Sequence, residues 1–187
     1  MSGFSRTLKA ASAGLPWQGA CLTTGVFTGT PGHLKSFDYT GPHRYSLTFC
    51  TNQRAQTFVE PSGVEIVLKQ VLRAAADQRF EIIAYCFMPD HLHLLVEART
   101  DASNALRFIS RAKQLSGYHY KQTFGQVLWQ RYGFERVLRN DEQTLVVARY
   151  ILENPLRRGM VARVEDYPFV GSTLYTVSEI LEAIQLS

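Results

Sequence analysis

Two apolar stretches joined by Met88-Pro89-Asp90 constrain the fold of this chain more than any other feature of its sequence. The stretches Phe80–Phe87 and His91–Glu97 each have the length and the apolar composition of a strand. Proline presets the backbone angle that a turn needs, so the three residues between them predict a tight link. Together they predict a β-hairpin.

The second of these strands carries two histidines, His91 and His93, separated by one residue. Side chains alternate between the faces of a strand, so both imidazoles should point the same way, with Leu95 in line behind them. The opposite face should enter a core through Leu92, Leu94 and Val96. Neutral imidazole is a common metal ligand, and the pair suits a divalent metal. Two hydrogen-bonded histidines at a strand end would explain the pattern equally well, so both interpretations stay open.

The remaining periodicities predict alternating strands and helices around this hairpin. The predicted elements are a strand at 44–51, a helix at 61–78, a helix from a cap at Asp101 or Ser103 to Lys121, a short strand within 127–139, a helix from Asn140 to Glu153, and a short helix within 176–185. This order, β-α-β-β-α-β and then α, matches the split βαβ or ferredoxin-like architecture. We therefore expect an α+β fold. Its antiparallel sheet has the first and third strands at the centre, helices on one face, and an extra C-terminal helix.

Length and composition indicate one domain with extensions. The chain has 187 residues, of which 45% are hydrophobic. We expect a loosely ordered extension at 1–40, rich in Gly, Ser, Thr and Pro, a folded domain at 41–175, and a tail or short helix at 176–187. Three cysteines without a Cys-x-x-Cys motif fit a reducing cytoplasm, and no apolar run reaches the roughly 20 residues of a membrane helix.

Positive charge is concentrated in residues 101–163, which hold eleven Lys or Arg and five Asp or Glu. A basic segment of this kind is compatible with a polyanionic partner such as a nucleic acid, although an ordinary solvated surface would look the same. The candidate phosphate contacts are Arg111, Lys113, Arg131, Arg139, Arg157 and Arg158.

Tyr150 and Asn154 are four residues apart in the predicted last long helix, so they share one helical face. A phenol can act as a nucleophile, and an amide oxygen suits a hard divalent cation. If this helix lies over the histidine pair, His91, His93 and Asn154 could hold a metal with Tyr150 beside it. The plainer alternative is a tyrosine packed in a core and an asparagine that caps the helix before Pro155.

Several short motifs resemble one protein family. They are Met88-Pro-Asp90, His91-Leu-His93, Leu128-Trp-Gln-Arg131, Arg139-Asn-Asp141, Tyr150-Ile-Leu-Glu-Asn-Pro155 with Arg157-Arg-Gly159, and Asp166-Tyr-Pro168. In this order, over roughly residues 43–173, they resemble the single-domain tyrosine transposases of bacterial insertion sequences and the related REP-associated tyrosine transposases. These proteins carry a histidine pair around an apolar residue, the HUH motif.

The resemblance implies a DNA strand transferase or endonuclease that depends on Mg²⁺ or Mn²⁺ and acts on single-stranded, hairpin-bearing DNA. It implies that Tyr150 is the nucleophile, forming a 5′-phosphotyrosine, and that His91, His93 and Asn154 are the metal ligands. It further implies a bacterial, cytoplasmic and nucleoid-associated protein. Monomer and homodimer both stay open, and so does the choice between a mobile-element transposase and a chromosomally resident relative.

A second function class is a non-catalytic DNA- or RNA-binding protein that retains the fold. A protein that only binds needs neither the histidine pair nor Tyr150 with Asn154, so the presence of all four argues against this class. Among the other tyrosines, Tyr118 has Gln122 four residues downstream and stays an alternative nucleophile. Trp129 and Tyr132 could stack on bases, but Trp129 fits a core position better.

Overall fold

The computed structural model describes residues 37–131, 134–138 and 142–183. Its strands are β1 (Arg44–Cys50), β2 (Phe80–Met88), β3 (His91–Ala98), β4 (Phe134–Leu138) and β5 (Val170–Gly171). Its helices are α1 (Pro61–Gln78), α2 (Ala105–Phe124), α3 (Glu142–Leu152), α4 (Asn154–Arg157) and α5 (Val177–Glu182). The predicted order of elements is confirmed. The two-residue strand β5 and the single-turn helix α4 are additions.

The strands form one antiparallel sheet in the order β4-β1-β3-β2-β5, so β1 and β3 are central as predicted. Residues opposite one another in an antiparallel ladder share a face of the sheet. Thr48 and Cys86 lie opposite His93 on its two sides, while Cys50 and Met88 lie opposite His91. The histidine pair is therefore enclosed laterally by two strands.

The two faces of the sheet pack against different helices. The alternating residues Tyr45, Leu47, Phe49, Leu92, Leu94 and Val96 are fully or almost fully buried in a core shared with α1 and α2. Leu95, on the same face of β3 as the histidines, belongs to a second core that includes Ile151 and Leu152 of α3 and Ile180 of α5. The sheet therefore has α1 and α2 behind it, and the C-terminal helices cover the face that carries the histidines.

Helix boundaries follow local chemistry, with one correction. α1 begins at Pro61, as predicted. α2 ends at Phe124 and is capped by Gly125, whose φ of 72° is the left-handed conformation that glycine adopts readily. The predicted cap of α2 at Asp101 or Ser103 is wrong, because Asn104 is the N-cap and accepts a hydrogen bond from the backbone N–H of Arg107 at 3.0 Å. Among the described residues, no helix has both the length and the apolar character to cross a membrane.

Trp129 is a core residue, consistent with the expectation from its sequence context. Only 9% of it is exposed, and its ring centroid lies 5.7 Å from those of both Phe49 and Phe58. Its indole Nε1–H donates to the hydroxyl oxygen of Ser116 at 2.9 Å, in a buried environment. The side chain thus has an apolar site for its ring and a partner for its polar edge.

Trp129→Phe is expected to lower the free energy of unfolding by about 1–3 kcal/mol, because a buried hydrogen bond and part of a packed ring are lost. Urea unfolding followed by circular dichroism measures this change. Tyr118→Phe is the matched control, since Tyr118 is 60% exposed on α2 and its substitution should change stability by less than about 0.5 kcal/mol. An unchanged stability for Trp129→Phe, together with weaker binding of single-stranded DNA, would instead favour a base-stacking role.

Candidate active site

The two histidine side chains on β3 meet at their Nε2 atoms. The Nε2 atoms of His91 and His93 are 2.9 Å apart, and the rings are perpendicular with centroids separated by 4.6 Å. His91 is 3% exposed, and His93 is partly buried. The sequence placed the two imidazoles on one face, and the structure brings their outer nitrogens into contact.

The inner nitrogens of both rings have fixed partners. The Nδ1 atom of His91 lies 2.5 Å from Oδ1 of Asp90, and Nδ1 of His93 lies 3.0 Å from the hydroxyl oxygen of Thr48. An ionised carboxylate only accepts hydrogen bonds, so Asp90 favours a proton on Nδ1 of His91, and a neutral His91 ring would then present its lone pair on Nε2. The Thr48 hydroxyl can donate or accept. His93 can therefore donate its Nε2–H to His91, or present a second lone pair to the same point.

This arrangement fits a divalent metal held by two nitrogens. Ligands at about 2.1 Å that meet at a right angle stand roughly 3.0 Å apart, close to the observed separation of the Nε2 atoms. The described part of the chain contains no group of three or more His, Cys, Asp or Glu side chains placed to hold a metal. A metal at the pair would thus take further ligands of another type, such as an amide oxygen, water or a substrate oxygen.

The surroundings keep His93 neutral. Burial lowers its pKa most strongly, and electrostatic interactions with His91, Arg157 and Arg54 act in the same direction against the opposing charge of Asp90, giving a pKa of about 3. The ring is therefore uncharged at neutral pH, which is the form that binds metals. Burial raises the pKa of Asp90, but its hydrogen bond to His91 and the nearby charges of His91 and Arg54 outweigh burial, so the net shift is downward. Asp90 therefore stays ionised.

Arg54 forms an ion pair with the second carboxylate oxygen of Asp90. One guanidinium nitrogen lies 3.2 Å from Oδ2 of Asp90 and 3.3 Å from Sγ of Cys50. Arg54 and Gln53 both have positive φ, 57° and 52°, a conformation that non-glycine residues rarely adopt. The turn is tied to the hairpin, because Thr51 donates from its backbone N–H and from its hydroxyl to the carbonyl oxygen of Asp90, at 3.0 and 2.9 Å.

Sequence reasoning missed Thr48 and Arg54. Thr48 occupies an outward position in the alternation of β1, so it could have been found once the pairing of β1 with β3 was known. Arg54 lies in a turn with no periodicity, and nothing in its sequence context indicates that it reaches Asp90.

Tyr150 and Asn154 lie on either side of a break between α3 and α4, so the prediction that they share one helix is wrong. The amide nitrogen of Asn154 donates to the carbonyl oxygens of Tyr150 and Ile151, at 3.2 Å each. The amide nitrogen of Asn154 thus caps the end of α3, as the plainer interpretation predicted. Tyr150 itself is only partly buried, in contrast to Ile151 beside it.

Arg157 lies against the ring of Tyr150, and its charge acts on residues of the sheet face that carries the histidine pair. Its guanidinium carbon lies 3.7 Å from the centre of the Tyr150 ring. Its charge also contributes to lowering the pKa of His93 and opposes the effect of burial on the pKa of Cys86, the residue opposite His93 in the sheet. The helix that carries Tyr150 therefore ends on the same face of the sheet as the two histidines.

Two of the other basic candidates, Lys113 and Arg111, have contacts in other parts of the fold. Lys113 donates to the carbonyl oxygens of Gln130 and Arg131, at 2.7 and 3.3 Å, and so holds the segment after Trp129. Arg111 lies 3.8 Å from Asp77 on the helices behind the sheet. Arg131 and Arg158 are exposed, and Arg139 lies outside the described residues. A DNA contact by any of these residues stays a prediction.

Comparison with known proteins agrees with the motifs. The sequence profile of the family described as "Transposase IS200 like" matches residues 40–154. A REP-associated tyrosine transposase of Escherichia coli strain K12 is 27% identical over 122 residues, which cover 63% of this chain and 68% of that protein. A candidate REP-associated tyrosine transposase of Haemophilus influenzae is 31% identical over 101 residues, covering 48% of this chain and 57% of the relative.

A solved structure confirms the fold. It is described as the REP-associated tyrosine transposase bound to a REP hairpin, and it superposes with a TM-score of 0.61 at 22% identity over 72% of this chain and 79% of that one. The family profile covers more than half of the chain, and the fold agrees with it. The chain belongs to the family of IS200-like transposases.

Proposed function

We propose that this protein cleaves and rejoins single-stranded DNA at REP-like hairpins, with Tyr150 as the nucleophile. The observation that carries the proposal is the pair of imidazole nitrogens 2.9 Å apart, on the sheet face covered by the helix that bears Tyr150. The two curated relatives bear names of REP-associated tyrosine transposases, and the solved relative is bound to a REP hairpin. We further propose that the reaction takes place in the bacterial cytoplasm, at the nucleoid, where such a DNA substrate would lie.

The proposed cleavage is a transesterification. The phenol oxygen of Tyr150 attacks the scissile phosphorus and forms a new P–O bond, while the bond from phosphorus to the 3′ oxygen breaks. The phenol proton is lost and the departing 3′ oxygen gains one, so the products are a 5′-phosphotyrosine and a free 3′-hydroxyl. The number of phosphoester bonds is unchanged, and a 3′-hydroxyl can therefore reverse the step to join strands.

His91, His93 and the amide oxygen of Asn154 are the proposed ligands of Mg²⁺ or Mn²⁺. Such an ion would offset charge on the scissile phosphate and orient it for attack. Asp90 and Thr48 fix the ring orientations of the two histidines, and Asp90 is itself held by Arg54. The neutral state of His93 leaves it able to ligate across the physiological pH range.

The direct test is the formation of a covalent protein–DNA adduct. The full chain is incubated with a hairpin-bearing single-stranded oligonucleotide labelled on the 3′ side of the cleavage position, with Mn²⁺, and run on a denaturing gel. A band that migrates as protein plus DNA, and that needs the metal, supports the proposal. Tight hairpin binding without an adduct over a broad set of hairpins would favour the non-catalytic binding protein.

Asp90→Asn is expected to weaken Mn²⁺ binding by about 10–100-fold, the usual effect of altering a carboxylate that orients a metal-binding histidine. The amide oxygen can still accept from His91, but the negative charge and the ion pair with Arg54 are lost. Isothermal titration calorimetry with Mn²⁺ measures the change. Glu97→Gln is a control, because Glu97 lies at the far end of β3 beside Arg44. Equal affinities for Asp90→Asn and wild-type protein would remove Asp90 from the proposed site.

A further inference from the structure

We propose that Arg157 positions the nucleophile, by stacking its guanidinium on the ring of Tyr150. This inference rests on the proposed function, since it assigns a role within the same reaction. It differs from the phosphate contact that the sequence suggested for Arg157. In the proposed role, Arg157 affects the reaction mainly by orienting Tyr150, and its charge near the DNA is of secondary importance.

The guanidinium of Arg157 is held by three groups at once. Its carbon lies 3.7 Å from the centre of the Tyr150 ring, a cation–π contact. One of its nitrogens donates to the carbonyl oxygen of Tyr150, and another lies 3.5 Å from Oε2 of Glu153. The plane of the guanidinium is therefore defined by a ring, a carbonyl and a carboxylate.

Glu153 ties this arrangement to α3. Its Oε1 lies 2.5 Å from Nε of Arg149, so one carboxylate is shared by an arginine on each side of the break between the helices. The side chains of Arg149 and Arg157 are each a little over one third exposed. The cluster therefore lies at the rim of the site, where DNA could reach it.

The break between α3 and α4 explains why Arg157 can lie over Tyr150. In an uninterrupted helix, a residue seven positions later would lie about 10.5 Å further along the axis. Here Asn154 and Pro155 are buried at the break. Two backbone hydrogen bonds close the single turn of α4. The N–H of Arg157 donates to Glu153 O and the N–H of Met160 donates to Pro155 O, both at 2.9 Å. The turn holds Arg157 beside the end of α3.

This placement points to a function in orienting the phenol. A tyrosine ring at a partly exposed helix end can swing about its first side-chain bond, and a stacked planar cation restricts that motion. Nucleophilic attack requires reacting atoms held near one geometry, and a displacement of about 1 Å can cost about 100-fold in rate. Lysine would keep the charge of Arg157 but not its plane or its fork of donors.

The positioning role and a plain phosphate contact predict different kinetics. Loss of a phosphate contact weakens DNA binding. For single strands it also reduces, by about 0.7, the slope of the logarithm of the binding constant against the logarithm of the salt concentration. The rate on saturating DNA is unchanged. Loss of positioning lowers the rate of adduct formation on saturating DNA and leaves the dissociation constant nearly unchanged.

The experiment compares Arg157→Gln, Arg157→Lys and Arg163→Gln with the wild-type chain. Arg163 is the matched control, because it is an exposed arginine outside the candidate phosphate contacts, with its Nε 3.6 Å from Oε2 of Glu165. On saturating hairpin DNA with Mn²⁺, Arg157→Gln should form the adduct about 10–100-fold more slowly, with a dissociation constant within about twofold of wild type. Arg157→Lys should recover only part of the rate, and Arg163→Gln should react at the wild-type rate.

A readout without activity keeps the stacking testable if a variant folds poorly or the protein proves inactive. The ring resonances of Tyr150, assigned with Tyr150→Phe in protein labelled at tyrosine, should shift in both Arg157 variants and stay fixed in Arg163→Gln. An unchanged rate for Arg157→Gln, or a loss confined to the dissociation constant, would overturn the positioning role. Absence of an adduct in the wild-type chain would instead count against the proposed function.

Discussion

Tyr150→Phe is expected to abolish the covalent adduct with hairpin DNA, lowering its rate of formation by about a thousandfold or more. The substitution removes only the phenol oxygen, which is the proposed attacking atom, and keeps the ring on which Arg157 stacks. Stability and hairpin binding should therefore stay close to wild type. A denaturing gel measures the adduct, and a filter-binding titration on the same oligonucleotide measures the affinity.

Tyr118→Phe is the control for this experiment. Tyr118 keeps a glutamine four residues downstream, but it lies on α2, which packs against the face of the sheet opposite the histidine pair. Its substitution should leave adduct formation unchanged. An adduct that persists in Tyr150→Phe and disappears in Tyr118→Phe would move the nucleophile to Tyr118 and remove the assignment of Tyr150.

His93→Ala is expected to weaken Mn²⁺ binding by at least about 100-fold and to reduce metal-dependent adduct formation by a similar factor, since one of two nitrogen ligands is lost. The neutral ring is held by Thr48 and His91, so alanine also leaves Thr48 without this partner. Calorimetry with Mn²⁺ measures the affinity, and circular dichroism verifies the fold. Undiminished Mn²⁺ binding would show that the pair is only a hydrogen-bonded feature of the sheet.

His43→Ala is the matched control for His93→Ala. His43 precedes β1 at the end of the sheet away from the pair, and its ring packs against Phe37 at 5.1 Å. Its loss should leave Mn²⁺ affinity unchanged.

Mixing Tyr150→Phe protein with His93→Ala protein tests whether two copies share one active site. An adduct restored by the mixture requires that Tyr150 of one copy react at the histidines of another.

Local patterns were sufficient for most of the fold. The alternation in β1, the helical period of α1 and the turn residues at Met88-Pro89-Asp90 each depend on neighbours in sequence, and the structure confirms all three. The cap of α2 was misjudged because Asp101, Ser103 and Asn104 are all good capping residues. The choice depends on the backbone, which is extended at Asn104, while the Ser103 hydroxyl donates to Arg79 O at 3.0 Å. The strand β5 has two residues, too few to show a period.

Residue spacing is enough to place His91 and His93 on one face of a strand, because side chains alternate along an extended chain. It is not enough for Tyr150 and Asn154, because α3 ends at Leu152 and Asn154 begins α4. The contacts around all four residues depend on the tertiary structure. The register of β1 on β3 places Thr48 at His93, a strained turn brings Arg54 to Asp90, and the break at Asn154 and Pro155 lays Arg157 on Tyr150. These contacts depend on packing and chain reversal between elements, which residue spacing along the chain does not specify.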